Sequence, residues 1–345
     1  MSSVYLWETK TTSEDLALGS TFWKRTILDP QLSLYLPALR AIGYDPRGCL
    51  YDALRKPGQE PSSVVLVDGD GIKIVRDAAG NRVRTKDGKK WRQTGDTEAG
   101  YHLDTRPETP EEYGARCLAA ISEDPSRYYA RGIVVRLEED EREAAADTWN
   151  TAGQIRDARR LRIFPRNSDS CVSWGRECEY LSVCANMADI NDPILFQKTE
   201  AHTELEEDGG DLSLLTQSSI RCYRSCPRKF YYRYELSQRP LRQPETLTTG
   251  KSIHEALDVF RRTGDIEAAK RALVTEDPFI RAKETAMLIG YMVRWGAPRG
   301  FVAIEHQFRI SLINPETGAA SKTFDLGGRV DGVVEVETAK ELMGS

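Results

Sequence analysis

The sequence predicts an α/β fold with a mixed central sheet flanked by helices. Three observations carry that expectation. Strand-like apolar runs stand near both ends of the chain, over 3–10 and 323–337. From residue 250 onwards the element order is helix, strand, strand, whereas from residue 1 it is strand, helix, strand. Joined tail to head, the two halves make one α-β-β-β-α-β series, so a single core should draw on both ends of the chain.

Along the chain, 3–10 reads as a strand and Asp29 to Arg40 as a helix with Leu32, Leu34, Leu36 and Leu39 on its apolar faces. Residues 49–54 read as a further strand ahead of Pro57. Residues 63–86 read as a hairpin, with Gly69-Asp70-Gly71 and Ala79-Gly80-Asn81 as turn chemistry. Thr109-Pro110-Glu111-Glu112 starts a helix leading to Ile121, and a charged helix covers roughly 137–160. Periodicity fades over 187–211, the best linker candidate. Helices follow near 216–236, 250–263 and 265–296, then strands near 302–312 and 323–337. The organisation expected is a core half over 1–60, an inserted hairpin and helices over 61–165, a cysteine segment over 166–186, the 187–211 linker, and a second core half over 212–345.

With 29% charged and 40% hydrophobic residues, the 345-residue chain has the balance of a soluble globular protein and enough apolar material for a sizeable core. No apolar run reaches the length of a bilayer span and no signal pattern opens the chain, so no membrane association and a cytoplasmic location are expected. In that compartment clustered cysteines bind metal more often than they pair. The net charge of −5 argues mildly against nucleic acid. It averages over acidic runs at 137–141 and 204–208 and a basic stretch from Arg221 to Arg242, in which Arg228 and Lys229 are interleaved with Phe230, Tyr231, Tyr232 and Tyr234. Basic residues among aromatics suit a nucleic-acid backbone and its bases, and equally suit a solvated helix with an aromatic core side.

Two fragments carry the candidate chemistry. Leu6-Trp7-Glu8-Thr9-Lys10 delivers a carboxylate and an amine two residues apart, hence on one strand face. Gly327-Gly328-Arg329-Val330-Asp331-Gly332 delivers an aspartate on another strand. Phosphodiester hydrolysis needs a divalent cation with open positions, and two carboxylates on neighbouring strands suit Mg²⁺ or Mn²⁺. Either fragment alone is a weak signal. Their company strengthens them: Gly250-Lys251-Ser252-Ile253-His254 places a histidine on a helix, and Gln31 and Tyr35 stand one helical turn apart. Glu305, on the strand before Asp331, is a candidate supporting residue, and His306 reads as structural. Cys171, Cys178 and Cys184 form a C-x6-C-x5-C cluster that wants a fourth ligand. Cys49 and Cys117 fall in apolar patterns and read as core.

This ensemble resembles the RecB-like branch of the PD-(D/E)XK nucleases, which includes AddB-type and CRISPR adaptation nucleases. The resemblance covers most of 1–60 and 165–336. It implies a restriction-endonuclease-like core and metal-dependent hydrolysis of DNA, as an exonuclease rather than an endonuclease, in DNA repair, recombination or phage DNA processing, with a helicase or recombination protein as a candidate partner. Asp331, Glu8 and His254 would hold Mg²⁺ or Mn²⁺, and Lys10 would assist the nucleophile. Gln31 and Tyr35 would lie near the active site and the DNA, with Arg228, Lys229 and Tyr232 as further DNA support. Iron–sulfur members carry one cysteine before the histidine helix, which maps to Cys226, with Cys222 as a substitute. A [4Fe–4S] cluster on Cys226, Cys171, Cys178 and Cys184 is thereby implied, although the departure from the family's usual C-x2-C-x5-C spacing leaves room for Zn²⁺ or an empty site.

The motif order departs from the family, because the Glu-x-Lys strand precedes the histidine and the aspartate. A circular permutant opened between Asp331 and Glu8, with Gly344-Ser345 and Met1-Ser2-Ser3 as the sides of a cut turn, accounts for this within one monomer. A slice through a tandem array and a domain-swapped dimer are the alternatives. The alternative functions are a DNA-binding or recombination scaffold with a vestigial site and a plain zinc-stabilised interaction module, which would leave the Glu-x-Lys and Gln/Tyr patterns to coincidence.

Overall fold

The computed structural model describes residues 2–173, 175–199, 202, 205, 212–241, 245–296 and 299–337, without the side chains of 245–248. Six strands form the central sheet: β1 (Ser3–Thr12), β2 (Pro46–Arg55), β3 (Tyr129–Val134), β4 (Ser213–Thr216), β5 (Phe301–Ile313) and β6 (Ala320–Val336). The main helices are α1 (Pro30–Ala41), α2 (Pro110–Glu123), α3 (Glu138–Leu161), α4 (Gln217–Ser225), α5 (Glu245–Thr263) and α6 (Pro278–Trp295).

The sheet is mixed, and β6 is its hub. Its far half pairs antiparallel with β1, from Ser3 opposite Val336 to Trp7 opposite Gly332. Its near half pairs in parallel with β4, and its other edge runs antiparallel to β5. β1 then pairs in parallel with β2, and β2 antiparallel with β3. The two ends of the sequence therefore meet inside one chain, through main-chain hydrogen bonds between its first and last strands. The presumed cut turn at Gly344-Ser345 and Met1 lies outside the described residues.

Helices cover both faces, as a sheet buried on two sides requires. One core packs Leu32, Leu36 and Leu39 of α1 and Ile155 of α3 against Leu6, Tyr51 and Val330. The other packs Tyr113 and Cys117 of α2, Ile253, Leu257 and Phe260 of α5, and Met287 and Tyr291 of α6 against Leu54 and Tyr129. Cys49 and Cys117 are buried in these cores. Gly332 belongs to the packing: a Cβ there would meet the ring of Phe301 at 2.5 Å.

Helix starts follow local chemistry. Asp29 caps α1 through its carboxylate and the Gln31 N–H, with Pro30 in the first turn. Thr109 and Glu112 close a capping box on α2.

Three expectations differ from the structure. The strand over 63–86 does not fold back on itself as one hairpin: Ser63–Val65 pairs with Thr105–Pro107, and Val75–Arg76 with His102–Leu103. The predicted turns do form, with Gly71 and Gly80 at positive φ, but each closes only a short bridged loop. β3, a Tyr/Ile/Val-rich run between two strong helix signals, has no counterpart among the expected strands and makes the 61–165 segment a contributor to the central sheet. Finally, Phe196–Lys198 in the presumed linker pairs with Gln238–Pro240. The acidic run 204–208 lies outside the described residues except for Leu205. Among the described residues no helix is long and apolar enough to cross a membrane.

Candidate active site

The parallel register and the two-residue strand period put Glu8 and Lys10 on the face of β1 that meets α1. Glu8 is 3% exposed. Its Oε1 accepts from Lys10 Nζ at 2.6 Å and from Gln31 Nε2 at 3.0 Å, while Gln31 Oε1 accepts from the same ammonium at 2.9 Å. Gln31 thus clamps both members of the Glu-x-Lys pair, and Asp29 holds it in place from the helix start. Asp29 also accepts from the Tyr51 hydroxyl at 2.5 Å. Asp331 enters from β6. Its Oδ2 accepts from the Thr9 N–H at 2.7 Å, and His254 Nδ1 of α5 stands 3.6 Å from the same oxygen.

Burial pushes the Glu8 carboxyl up to about 7, with Lys10 opposing the rise and Asp331 adding to it. Burial works against the charge of Lys10, but the Glu8 carboxylate outweighs it and keeps the ammonium protonated beyond its ordinary range. Burial holds His254 below its usual value despite Asp331, which favours the neutral imidazole that ligates cations. Glu305 lies on β5 between Ile304 and His306, which pair with Gly332 and Val330 and so bracket Asp331. Its φ of 50° is unusual for a non-glycine in a strand. Burial and Asp331 push its carboxyl up to about 7, against Arg329, with which it pairs at 2.8 Å. His306 packs edge-on against Tyr44, as a structural histidine would.

Behind this face lies an ion network that the sequence did not announce. Asp52 of β2 is fully buried and accepts from Arg131 Nε at 2.9 Å and from the Tyr291 hydroxyl at 2.5 Å. Arg131 stacks over Trp7 and Trp295, at 4.7 Å and 4.1 Å from the ring centres. Arg261, two turns beyond His254 on α5, stands 3.9 Å from Asp52 and donates to the Thr9 hydroxyl. The residue whose N–H fixes Asp331 is therefore itself tied to the histidine helix.

The other predicted residues divide between two places. Tyr35 lies on the α1 face with Gln31 and packs edge-on against Phe308. A Cβ on Gly328 would strike both rings, which accounts for that glycine beside the aspartate. Arg228, Lys229 and Tyr232 stand instead at the cysteine end. Arg228 Nε donates to the Phe164 carbonyl at 2.8 Å, Lys229 pairs with Glu179 at 3.6 Å, and Tyr232 is buried against Tyr180. At that end the sulfur of Cys184 lies within the electrostatic reach of Cys226 and Cys171, and that of Cys178 within reach of Cys226. The Asn167 N–H points at Cys226 Sγ, 3.5 Å away. Burial raises the Cys178 and Cys184 thiols, and pushes Cys222 up to about 11 against nearby Lys229.

Among the described residues no group of three or more His, Cys, Asp or Glu side chains is placed to hold a metal ion. The donors nonetheless suit a hard divalent cation at the strand face. His254 stands beside Asp331, Asp331 acts electrostatically on Glu8, and Glu8 Oε2 is buried with no hydrogen-bond partner among the described residues. A buried carboxylate oxygen left bare is costly unless something outside the chain meets it.

Residues 214–342 match the family model of the PD-(D/E)XK nuclease superfamily. This span holds Asp331, His254 and Cys226, whereas Glu8, Lys10 and Gln31 lie outside it. No curated protein and no solved structure matches the chain. The stretch 214–342 is thus similar to a PD-(D/E)XK domain, in a chain whose fold is α/β with a mixed central sheet, and that superfamily suggests a metal-dependent nuclease.

Proposed function

We propose that the protein is a Mg²⁺- or Mn²⁺-dependent deoxyribonuclease whose single active site is assembled from the two ends of the chain in permuted order. The observation that carries this reading is the meeting of Glu8, Lys10 and Asp331 on paired strands, with Glu8 Oε2 buried and unpartnered. Asp331, Glu8 and His254 would hold the cation, which when bound supplies a Lewis acid for the phosphate and an activated water. The chain's own groups do the rest. The Thr9 N–H fixes the Asp331 carboxylate, and Gln31 holds Lys10 against Glu8. Lys10, kept charged by that carboxylate, is placed to steady the attacking water or the charge that grows on the phosphate. Glu305 is proposed to support Asp331 from the adjacent strand.

At the other end, Cys226, Cys171, Cys178 and Cys184 are proposed to hold an iron–sulfur cluster, with Zn²⁺ as the alternative. The electrostatic influence of Cys226 on Cys178 and Cys184, and of Cys171 on Cys184, with a backbone N–H aimed at Cys226 Sγ, supports the assignment. Metal analysis and absorbance near 400 nm after anaerobic purification distinguish the two.

The test of the enzyme reading is cleavage of labelled linear and circular DNA by the monomer fraction with Mn²⁺ or Mg²⁺, beside Glu8→Ala. Metal-dependent cutting by the monomer, lost in the variant, is expected, with linear substrate cut and circular spared for an exonuclease. A folded monomer that never cuts would remove the catalytic assignments. Activity confined to dimers would replace the permuted monomer with a swapped one.

A further inference from the structure

Between a short helix over Thr21–Thr26 and the start of α1 the chain makes a turn, and that turn carries the cap beneath Gln31. Burial does little to hold it. Ile27 is 60% exposed and Leu28 82%, so its apolar side chains lie in water. On one side it borders a cleft of about 700 Å³, open beside Lys10, Gln31 and α4. Its own main chain closes it through the Leu28 N–H on the Arg25 carbonyl and the Asp29 N–H on the Thr26 carbonyl. Asp29 rides on this turn, with its carboxylate on the Gln31 N–H at 2.9 Å and the Tyr51 hydroxyl at 2.5 Å. Wherever the turn goes, the start of α1 goes with it.

The anchor comes from another segment. Arg136 stands two residues beyond the end of β3 and lays its guanidinium across the turn. Nη2 donates to the Asp29 carbonyl at 2.7 Å and to the Thr26 carbonyl at 3.2 Å, and Nη1 donates to the Ile27 carbonyl. A planar fork with five donors spans three carbonyls, which a lysine ammonium on its single point does not reproduce. The charge also suits its place. The Thr26 and Ile27 carbonyls close the C-terminal end of the short helix, where a cation is favourable, and Asp29 stands at the N-terminus of α1, where an anion is. One arginine of the 61–165 segment thus fixes the junction from which Gln31 reaches Glu8 and Lys10. It belongs to none of the sequence motifs and lies outside the 214–342 stretch.

We propose that Arg136 is a positioning residue for the Glu8–Lys10 pair, acting through the Thr26–Asp29 turn, Asp29 and Gln31. Where cleavage is concerned, this rests on the nuclease reading above. Arg136 touches neither substrate nor reacting atoms. Its loss frees the turn and loosens the glutamine clamp, so the rate at saturation falls and KM holds.

Two measurements on the full chain test this. NMR with isotope-labelled glutamine reads the side-chain amide of Gln31, assigned by its disappearance in Gln31→Leu. In Arg136→Ala that signal should move towards the position of a solvent-exposed glutamine, and in Arg136→Lys part of the way. Arg142→Ala, which removes a surface pair with Glu139 on α3, should leave it in place. Cleavage of labelled DNA with Mn²⁺ reads the consequence: Arg136→Ala should lower kcat about tenfold, the lower end of outer-sphere losses, with KM unchanged. Added to Gln31→Leu, it should lower kcat no further, because both residues act through one clamp. A Gln31 signal that ignores Arg136→Ala in folded protein overturns the proposal, and Arg136→Lys carries the same test should the alanine variant not fold. Losses that multiply in the double variant overturn it too, as independent structural damage would. If the unmutated protein never cuts, the nuclease reading falls and the NMR result alone decides on Arg136.

Discussion

The carboxylate end and the cysteine end of this molecule are held together in opposite ways. At the carboxylate end each functional group has a covalently independent support: Asp331 a backbone N–H, Lys10 a glutamine, and the strand beneath them a buried ion network. At the cysteine end the apolar cluster is small, centred on Tyr180, Phe196 and Tyr232, and the thiols themselves are part of its packing. On the proposed reading, a cation site embedded in the sheet hub is organised before any cation binds, whereas cysteines on short turns such as Leu181–Cys184 would depend on the group their sulfurs are proposed to hold.

The strongest challenge to that contrast is Asp52→Ala. It strands Arg131 and Arg261 in the interior, and loss of one partner from a buried ion pair costs about 3–5 kcal/mol. Urea unfolding should show a loss of that order with or without divalent cation. A loss below about 1 kcal/mol would mean that the network does not organise the carboxylate end. The reverse signature is expected at the cysteine end. Cys178→Ser, or chelation of the parent protein, should remove the stabilisation that a tightly held group provides, about 2.7 kcal/mol at a hundredfold excess over its Kd. Cleavage per folded molecule should change much less. Unaltered melting of the metal-stripped parent would remove the stapling role.

Gln31→Leu probes support at the carboxylate end without removing a ligand. Outer-sphere losses typically cost about 10–100-fold in activity or metal affinity. The cleavage rate should fall within that range with melting nearly unchanged, and parent-like kinetics would show that Lys10 needs no clamp. The smallest effect sharpens the electrostatics. With Glu8 raised to about 7 from an ordinary 4.5, the carboxyl is protonated in both folded and unfolded chains below pH 4.5. Between 4.5 and about 7 only the unfolded chain ionises it, so stability falls through that window and stays lowered above it. Melting of the cation-free protein should show this decline, and Glu8→Gln should abolish it. Mn²⁺, which competes with the proton, should flatten the decline in the parent.

The parts legible in the sequence were those with local periodicity. Glu8 and Lys10 share a strand face, and Gln31 and Tyr35 share a helix face, whereas the close packing at Gly328 and Gly332 against Phe301, Phe308 and Tyr35 depends on distant partners. The element order also carried the joining of the two ends, which the pairing of β1 with β6 displays. What escaped was set by distant partners. Asp52, Arg131, Arg261 and Tyr291 come from four segments, and nothing in the spacing of any one foretells the others. Arg221 and Arg228 belong to one basic stretch, yet α4 turns the first into the cleft while Arg228 bonds to Phe164 beside the cysteines. Strand β3 was hidden because its six residues stand between helices of 14 and 24 residues.

The contact between Thr9 and Asp331 spans 322 positions of the chain. On a ribosome working at roughly 5–20 residues per second, the first half of the site waits roughly a quarter of a minute to a minute for the second. Throughout that interval the edge of β1 that will meet β6 is unpaired, with its glutamate and lysine already made and no aspartate beside them. On the proposed reading, Glu8 and Lys10 cannot meet Asp331 until β6 has been made, so the order of the strands along the sequence delays the assembly of that site.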